Sequence, residues 1–305
     1  MRSGAYGEPR YDGDTCRILQ GRFPGIVEYF APLEVEGIYG PGWTAHAIAV
    51  LRNAVHDGAA GVKIWNDFGM SRKNDRDEFV LVTDRTLDPI FAWIESHHLP
   101  VVNHAGDPED CSLFQKGSVP SYSSLIAARD SMLARHPRIK FIGAHIGSME
   151  NDLDEVARRL DAYPNFAVDI GGRVRNLQAI SLCDREKVRS FMITYQDRIL
   201  YGTDFVDALA EDGPCSADYF HSLWKSDWLF LATDSCIHCA IPGAGIRGLA
   251  LPRQTIDRIY RLNAERWQGI KPPFLYEWKW WLHAAGKRVK AFVSRIAGCR
   301  RSGSN

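Results

Sequence analysis

The sequence predicts an α/β fold organised around a parallel sheet, on three observations. Short apolar runs recur along the chain, each closed by a polar residue or a turn. Helical patterns fill the stretches between them. Three of the runs end on residue types that bind metals or move protons: His104 in PVVNHAG, His145 in KFIGAHIG and Asp204 in ILYGTDF. Parallel strands joined by helices present their C-terminal ends on one face. Residues 145 − 104 = 41 and 204 − 145 = 59 positions apart can therefore meet there.

Taken in order, DTCRILQ reads as a short first helix, and the runs 25–31, 61–65, 100–103, 139–144, 166–170 and 198–201 read as six strands. The helical patterns between them cover 44–56, 86–97, 122–135, 148–161 and 184–195. In the fourth, Ser148 is placed to cap the start, and Glu150, Asp152 and Asp154 favour the positive end of the helix dipole. Glu155 lies four residues before Arg159, and Val156 and Leu160 mark the buried stripe. After Asp204 the alternation fades, and GPCSADYFHSLWKSDWLFLATDSC reads as a helix followed by a buried irregular segment. TIDRIYRLNAERW, residues 255–267, restores an amphipathic helix with Ile256, Ile259 and Tyr260 on or near one face. Pro272-Pro273 breaks the pattern, so residues 1–270 are expected as one domain and 271–305 as a basic, aromatic tail.

A closed parallel barrel needs eight such units and the chain offers six, so the expected fold is a (β/α)8 barrel type lacking its first two units at the N-terminus. The competing architecture is an open doubly wound sheet. It would carry a glycine-rich phosphate turn after the first strand, and none is present. Functional residue types at the ends of most strands also favour the barrel arrangement.

Composition narrows the function classes. Lys+Arg and Asp+Glu are each 37 in 305 residues, which gives no general attraction for nucleic acid or an anionic membrane. Seven scattered cysteines argue against a disulfide scaffold and for a reducing compartment. No apolar run is long enough to span a bilayer, and MRSGAYGEPRYDGD lacks the apolar core of a secretory signal, so a cytoplasmic location is expected. The expected partner is a small-molecule substrate, and assembly into a homo-oligomer is left open.

An ordered series of segments carries a resemblance: RFPGIVEYFAPL, GAAGVKIWNDFGM, LDPIFAWIESHHLPVVNHAGDP, RHPRIKFIGAHIGS, LDAYPNFAVDIGGRV, YQDRILYGTDF, SDWLFLATDSC and LPRQTIDRIYRLNAERW. Over about 22–267 the chain resembles the amidohydrolase-related family, metal-dependent hydrolases and decarboxylases built on a (β/α)8 barrel. The resemblance implies a divalent metal, zinc or manganese, with His104 as a ligand and His145 as a ligand or the acid/base group. It also implies that Asp204 binds metal or handles the proton of water. Lys63 matches a strand-four lysine that bridges two metals in some relatives and orients substrate in others. The family's HxH pair on strand one is absent; the adjacent His97-His98 closes a predicted helix.

Other residues have plainer readings. Arg173, in DIGGRVR, has the planar fork to clamp a substrate carboxylate. Asn103 and Asp107 flank His104 and are placed to fix its tautomer or simply to shape a turn. Cys236 and Cys239 have the spacing of half a zinc site without a second half, so they are expected as core or loop thiols. The tail's lysines and arginines accompany Val289, Phe292, Val293 and Ile296 at helical spacing, which predicts a helix docked on its own domain.

Three activities follow as expectations. The first is metal-dependent hydrolysis of an amide, ester or lactone-type bond, with Asp204 taking a proton from water and His145 stabilising or protonating. The second is decarboxylation of an aromatic or unsaturated acid. The third is an inactive or truncated remnant, whose sheet edges would be left unpaired and prone to aggregation.

Overall fold

A computed structural model of the chain describes residues 13–25, 27–65, 67–70, 72–106, 120–204, 217–238 and 245–269. Its centre is a six-stranded parallel sheet in sequential order. The strands are β1 (Phe30–Pro32), β2 (Gly61–Ile64), β3 (Val101–Asn103), β4 (Phe141–Gly143), β5 (Phe166–Asp169) and β6 (Ile199–Leu200). Helices Trp43–His56, Asp88–Ser96, Tyr122–Arg135, Leu153–Ala162 and Arg185–Thr194 lie between them. Six consecutive βα units of barrel type are therefore present, as the alternating pattern predicts.

Alternation along each strand splits the buried side chains between two faces. Val62, Ile64, Val101, Phe141, Phe166, Val168 and Ile199 join the main core, together with Leu51, Ile90, Phe91, Leu133, Val156 and Leu160 from the helices. Ile142, Ala167 and Leu200 face the other way and form a second, smaller cluster with Trp267, against which Val102 and Ala264 pack. That second cluster lies on the face of the sheet opposite the main core. Its floor is a side chain from the last helix, and full burial of one such aromatic contributes roughly 1.5–3 kcal/mol.

The same last helix covers an edge of the sheet. Arg253–Asp257, a wide π turn Arg258–Leu262 and Asn263–Gln268 run on with right-handed backbone at each junction. The Ile259 carbonyl accepts from Tyr201 N–H at 2.8 Å. Asn263 Nδ2 donates to the carbonyls of Ile199 and Gln196 at 2.7 and 2.6 Å, and Trp267 Nε1 donates to the Asp197 carbonyl at 2.9 Å. The β6 edge is thus paired by a helix. At the opposite edge, Tyr29 C=O and Leu33 N–H bond on the β2 side, so Phe30 and Pro32 face outward by alternation. Pro32 has no N–H to offer, which blunts that edge.

Several boundaries differ from the sequence expectation. The first strand begins at Phe30, not at 25, because the ladder starts only where Phe30 faces Gly61. Ser148 does not cap a helix: residues 145–148 have positive φ, and the helix begins after Asp152, whose carboxylate accepts from Asp154 N and Glu155 N at 3.0 and 3.1 Å. A helix at Val174–Cys183 and an antiparallel hairpin, Cys236–His238 with Gly245–Arg247, appear where loops were expected. Cys236 sits in that hairpin; Cys239, Asp107 and the tail 271–305 lie outside the described residues. No helix among the described residues is long and apolar enough to cross a membrane.

Candidate active site

The strand ends bring the sequence-selected residues together. His104 follows β3 directly, its N–H bonded to the Ile64 carbonyl of β2 at 3.0 Å. His145 follows β4, and the two imidazoles meet edge to face with ring centroids 4.6 Å apart. Asp204 comes from beyond β6 and places Oδ2 3.9 Å from His145 Nε2. Lys63 lies on β2, with its ammonium 4.9 Å from the Trp65 ring centroid. Burial pulls the Lys63 pKa down, while the charges of Asp169 and Asp204 hold it up.

His145 stands on unusual backbone. His145, Ile146, Gly147 and Ser148 have φ of 59°, 57°, 66° and 59°, a full left-handed turn. Such backbone costs about 1–2 kcal/mol for each non-glycine residue. Glycines make room for it, since a Cβ on Gly143 would sit 2.7 Å from the Gly147 Cα. The turn aims the ring so that Nδ1 meets the Gly171 carbonyl at 2.8 Å. Nδ1 therefore carries the proton, and the Nε2 lone pair faces Asp204.

Asp169, at the end of β5, escaped the sequence reading. Its Oδ1 accepts from His145 N at 3.0 Å and from Gly171 N at 2.9 Å. Burial raises its pKa, opposed by His145, Lys63 and the two backbone donors. The rule that found Asp204 also points to it, an apolar run closed by a carboxylate in FAVDIGG. Gly171 and Gly172 then let the chain pass close to Asp204: a Cβ on Gly172, at φ +65°, would lie 3.2 Å from Asp204 Oδ2.

Arg173 is placed differently from a free clamp. Its Nε donates to Glu150 Oε1 at 2.9 Å, and Glu150 is completely buried. The guanidinium is still close enough to His104 for its charge to help lower that imidazole's pKa, after burial and the charges of His145 and Lys63. Glu150 was read as an acid in the first turn of a helix and instead orients Arg173. No hydrogen bond joins Asn103 to His104 among the described residues.

Among the described residues, no three His, Cys, Asp or Glu side chains are drawn into one closed metal-binding arrangement. The donor chemistry nevertheless fits a divalent cation. His104 Nε2 is buried without a hydrogen-bond partner among the described residues, and burial holds the ring neutral. His145 spends its other nitrogen on a backbone carbonyl, the arrangement that orients metal-binding imidazoles. Asp204 adds a carboxylate, half-exposed, beside the free His145 nitrogen.

Comparison with known proteins places the chain in a family. No curated protein matches the chain. Among solved structures, an uncharacterized TIM-barrel protein from Bordetella bronchiseptica matches with a TM-score of 0.51 and 14% identity, covering 84% of this chain and 72% of that one. A 2,6-dihydroxybenzoate decarboxylase from Rhizobium matches with a TM-score of 0.50 and 17% identity, over 84% and 75% of the two chains. A dihydroxybenzoic acid decarboxylase from Polaromonas sp. JS666, with bound manganese and the inhibitor 2-nitroresorcinol, matches with a TM-score of 0.51 and 15% identity over 84% and 73%. These likenesses establish the barrel-type fold. The amidohydrolase family model matches residues 36–270, a span that holds β2 to β6 and the site residues at their ends, and the chain belongs to the amidohydrolase family.

Proposed function

We propose that the protein is a metal-dependent hydrolase acting on an amide, ester or lactone-type bond of a small molecule. The observation that carries the reading is the pairing of His145 Nε2 with Asp204 Oδ2 at 3.9 Å, with the proton of His145 committed to Gly171 on the other nitrogen. A free imidazole nitrogen beside a half-exposed carboxylate is a proton-transfer pair. His104 and Asp204 would hold the metal, zinc or manganese, with His145 as a third ligand where it is not the proton carrier; manganese is the ion bound by the Polaromonas relative. When bound, such an ion activates water and polarises a carbonyl.

Each residue then has a task its surroundings support. Asp204 accepts the proton of the attacking water, its exposed carboxylate reaching the solvent-facing side of the site. His145, its Nδ1–H held by Gly171, would take that proton from Asp204 at Nε2 and hand it to the leaving group. His104 stays neutral because it is buried among cations. Lys63 and Arg173 supply positive charge toward the substrate's oxygens.

Decarboxylation of an aromatic or unsaturated acid is the second reading. It is favoured by the same two cations, suited to a substrate carboxylate, and by the decarboxylases among the structural relatives. Turnover of an ester, lactone and amide panel with added Mn²⁺ or Zn²⁺, run beside carbon dioxide release from hydroxybenzoates, separates the two. Activity is expected to require metal and to vanish in His104→Ala and Asp204→Ala. Unchanged turnover in both variants would overturn the proposal.

A further inference from the structure

The left-handed turn that carries His145 is gripped from behind by one helix. Tyr122 and Arg129 both lie on Tyr122–Arg135, in the helix layer behind the sheet. Arg129 is 1% exposed and donates from Nη1 to the Gly147 carbonyl. Tyr122 donates its hydroxyl to the Ser148 carbonyl. The arginine itself has little freedom. Its Nε and Nη2 reach Asp130 Oδ1 at 3.0 and 2.7 Å, and Arg159 Nε holds the second Asp130 oxygen at 3.0 Å. The guanidinium carbon lies 4.8 Å from the Phe166 ring centroid.

Packing at the turn leaves no slack. A Cβ on Gly147 would sit 3.1 Å from Phe166 Cζ and 3.2 Å from Arg129 Nη1. At the front of the turn, Asp169 takes the His145 N–H. The backbone carrying the imidazole is thus pinned at both ends, by a carboxylate on the site side and by two donors on the helix side. Left-handed backbone in Ile146, a β-branched residue, persists only where its surroundings impose it. A buried arginine that gives Nη1 to that turn and Nη2 to Asp130 and to the Met149 sulfur just beyond it supplies the imposition.

We propose that Arg129 is a positioning residue: through the Gly147 carbonyl it fixes the left-handed turn and thereby the direction of the His145 imidazole. The proposal rests on the reading of His145 as a working group of the site. Arg129 touches no substrate and acts only through the turn. Tyr122 assists it at the next carbonyl.

The test is made on the metal-free chain of residues 1–305 with ¹⁵N-labelled histidine. The Nδ1–H of His145, bonded to Gly171, is expected as a slowly exchanging imidazole proton, assigned by its loss in His145→Gln. Arg129→Met is expected to abolish this signal, whereas Arg129→Lys, which keeps a donor for Gly147, retains it. Tyr122→Phe, which removes one hydroxyl, is expected to speed its exchange with water. Calorimetric titration with Mn²⁺ should show about ten-fold or greater weakening in Arg129→Met and recovery in Arg129→Lys. A folded Arg129→Met protein with the wild-type imidazole signal overturns the proposal. If Arg129→Met does not fold, wild-type exchange in Tyr122→Phe overturns it. Wild-type protein that takes up no Mn²⁺ removes the metal from the proposed function and leaves the imidazole measurement to decide this proposal.

Discussion

Two adjoining walls border the site along one sheet, and they are built from different materials. The wall formed by β4 and β5 holds His145 with directional bonds: Asp169 to two backbone N–H groups, Gly171 to the ring, and a buried arginine network behind. The wall formed by β6 presents Asp204 with its side chain 49% exposed. Behind that wall the rings of Tyr201 and Tyr260 stack with centroids 4.2 Å apart, and Trp228 meets Tyr260 edge-on at 5.2 Å. One carboxylate enters this stack, Asp227, which accepts from the Tyr201 hydroxyl at 3.0 Å. The difference assigns fixed direction to the imidazole and room to adjust to the carboxylate. Under the proposed function, the pair has one rigid member and one free to close the 3.9 Å between them when substrate arrives.

The sharpest way to break this contrast is to remove the acid from each wall in turn. Asp169→Ala strips two buried backbone donors of a charged acceptor and is expected to cost about 3 kcal/mol or more. For a chain of this class that lowers the melting temperature on the order of 6–12 °C. Asp204→Ala should leave melting nearly unchanged. Equal losses in thermal denaturation would show that the two walls are equally structural.

Next in size is a pH effect on the aromatic wall. Burial pushes the Asp227 carboxyl up to about 6 from an ordinary 3.8, against the pull of the Tyr201 hydrogen bond. The folded state then keeps a proton that the unfolded chain releases between those values. This contribution to stability is full below pH 3.8 and is lost as pH rises through about 6. Urea unfolding of wild type against Asp227→Asn should show the difference between them changing by up to about 3 kcal/mol over that window, with no further change above it. A difference that is flat across the window would place no raised carboxyl in the stack.

Gly172→Ala tests where the walls approach each other. The alanine must adopt φ near +65° with its Cβ 3.2 Å from Asp204 Oδ2. A loss of about 1–2 kcal/mol is expected from the backbone alone, with turnover falling as Asp204 is displaced. The smallest expected effect on stability belongs to Asp204→Asn, roughly 0.5 kcal/mol or less. Its turnover should nevertheless be lost, because the amide accepts no proton. An active Asp204→Asn protein would move the proton acceptor elsewhere.

Much of this arrangement is legible in the sequence, for a physical reason. Parallel strands end on one face, so His104, His145 and Asp204 could be brought together by pattern alone, and 122–135 reads as a helix with the bounds it has. What the pattern misses is backbone imposed from a distance. Nothing local in AHIGS asks for a left-handed turn, and Ser148 reads as an ordinary cap, because the groups that hold the turn, Arg129 and Asp169, lie on other elements. Glu150 is hidden for the same reason: its partner, Arg173, comes from beyond β5. Asn263 looks like one polar residue on a helical face, and only the β6 edge reveals its use.

The helix that pairs the β6 edge arrives late during synthesis. Ile259 follows Tyr201 by 259 − 201 = 58 residues, so at about 5–20 residues per second the nascent chain carries a naked strand for about 3–12 s. Ribosome-bound intermediates ending before Arg253 should engage chaperones, and a stop codon there should yield protein that fails to accumulate. Translation through Arg253–Gln268, not the completion of the six strands, is when the β6 edge becomes safe from its neighbours.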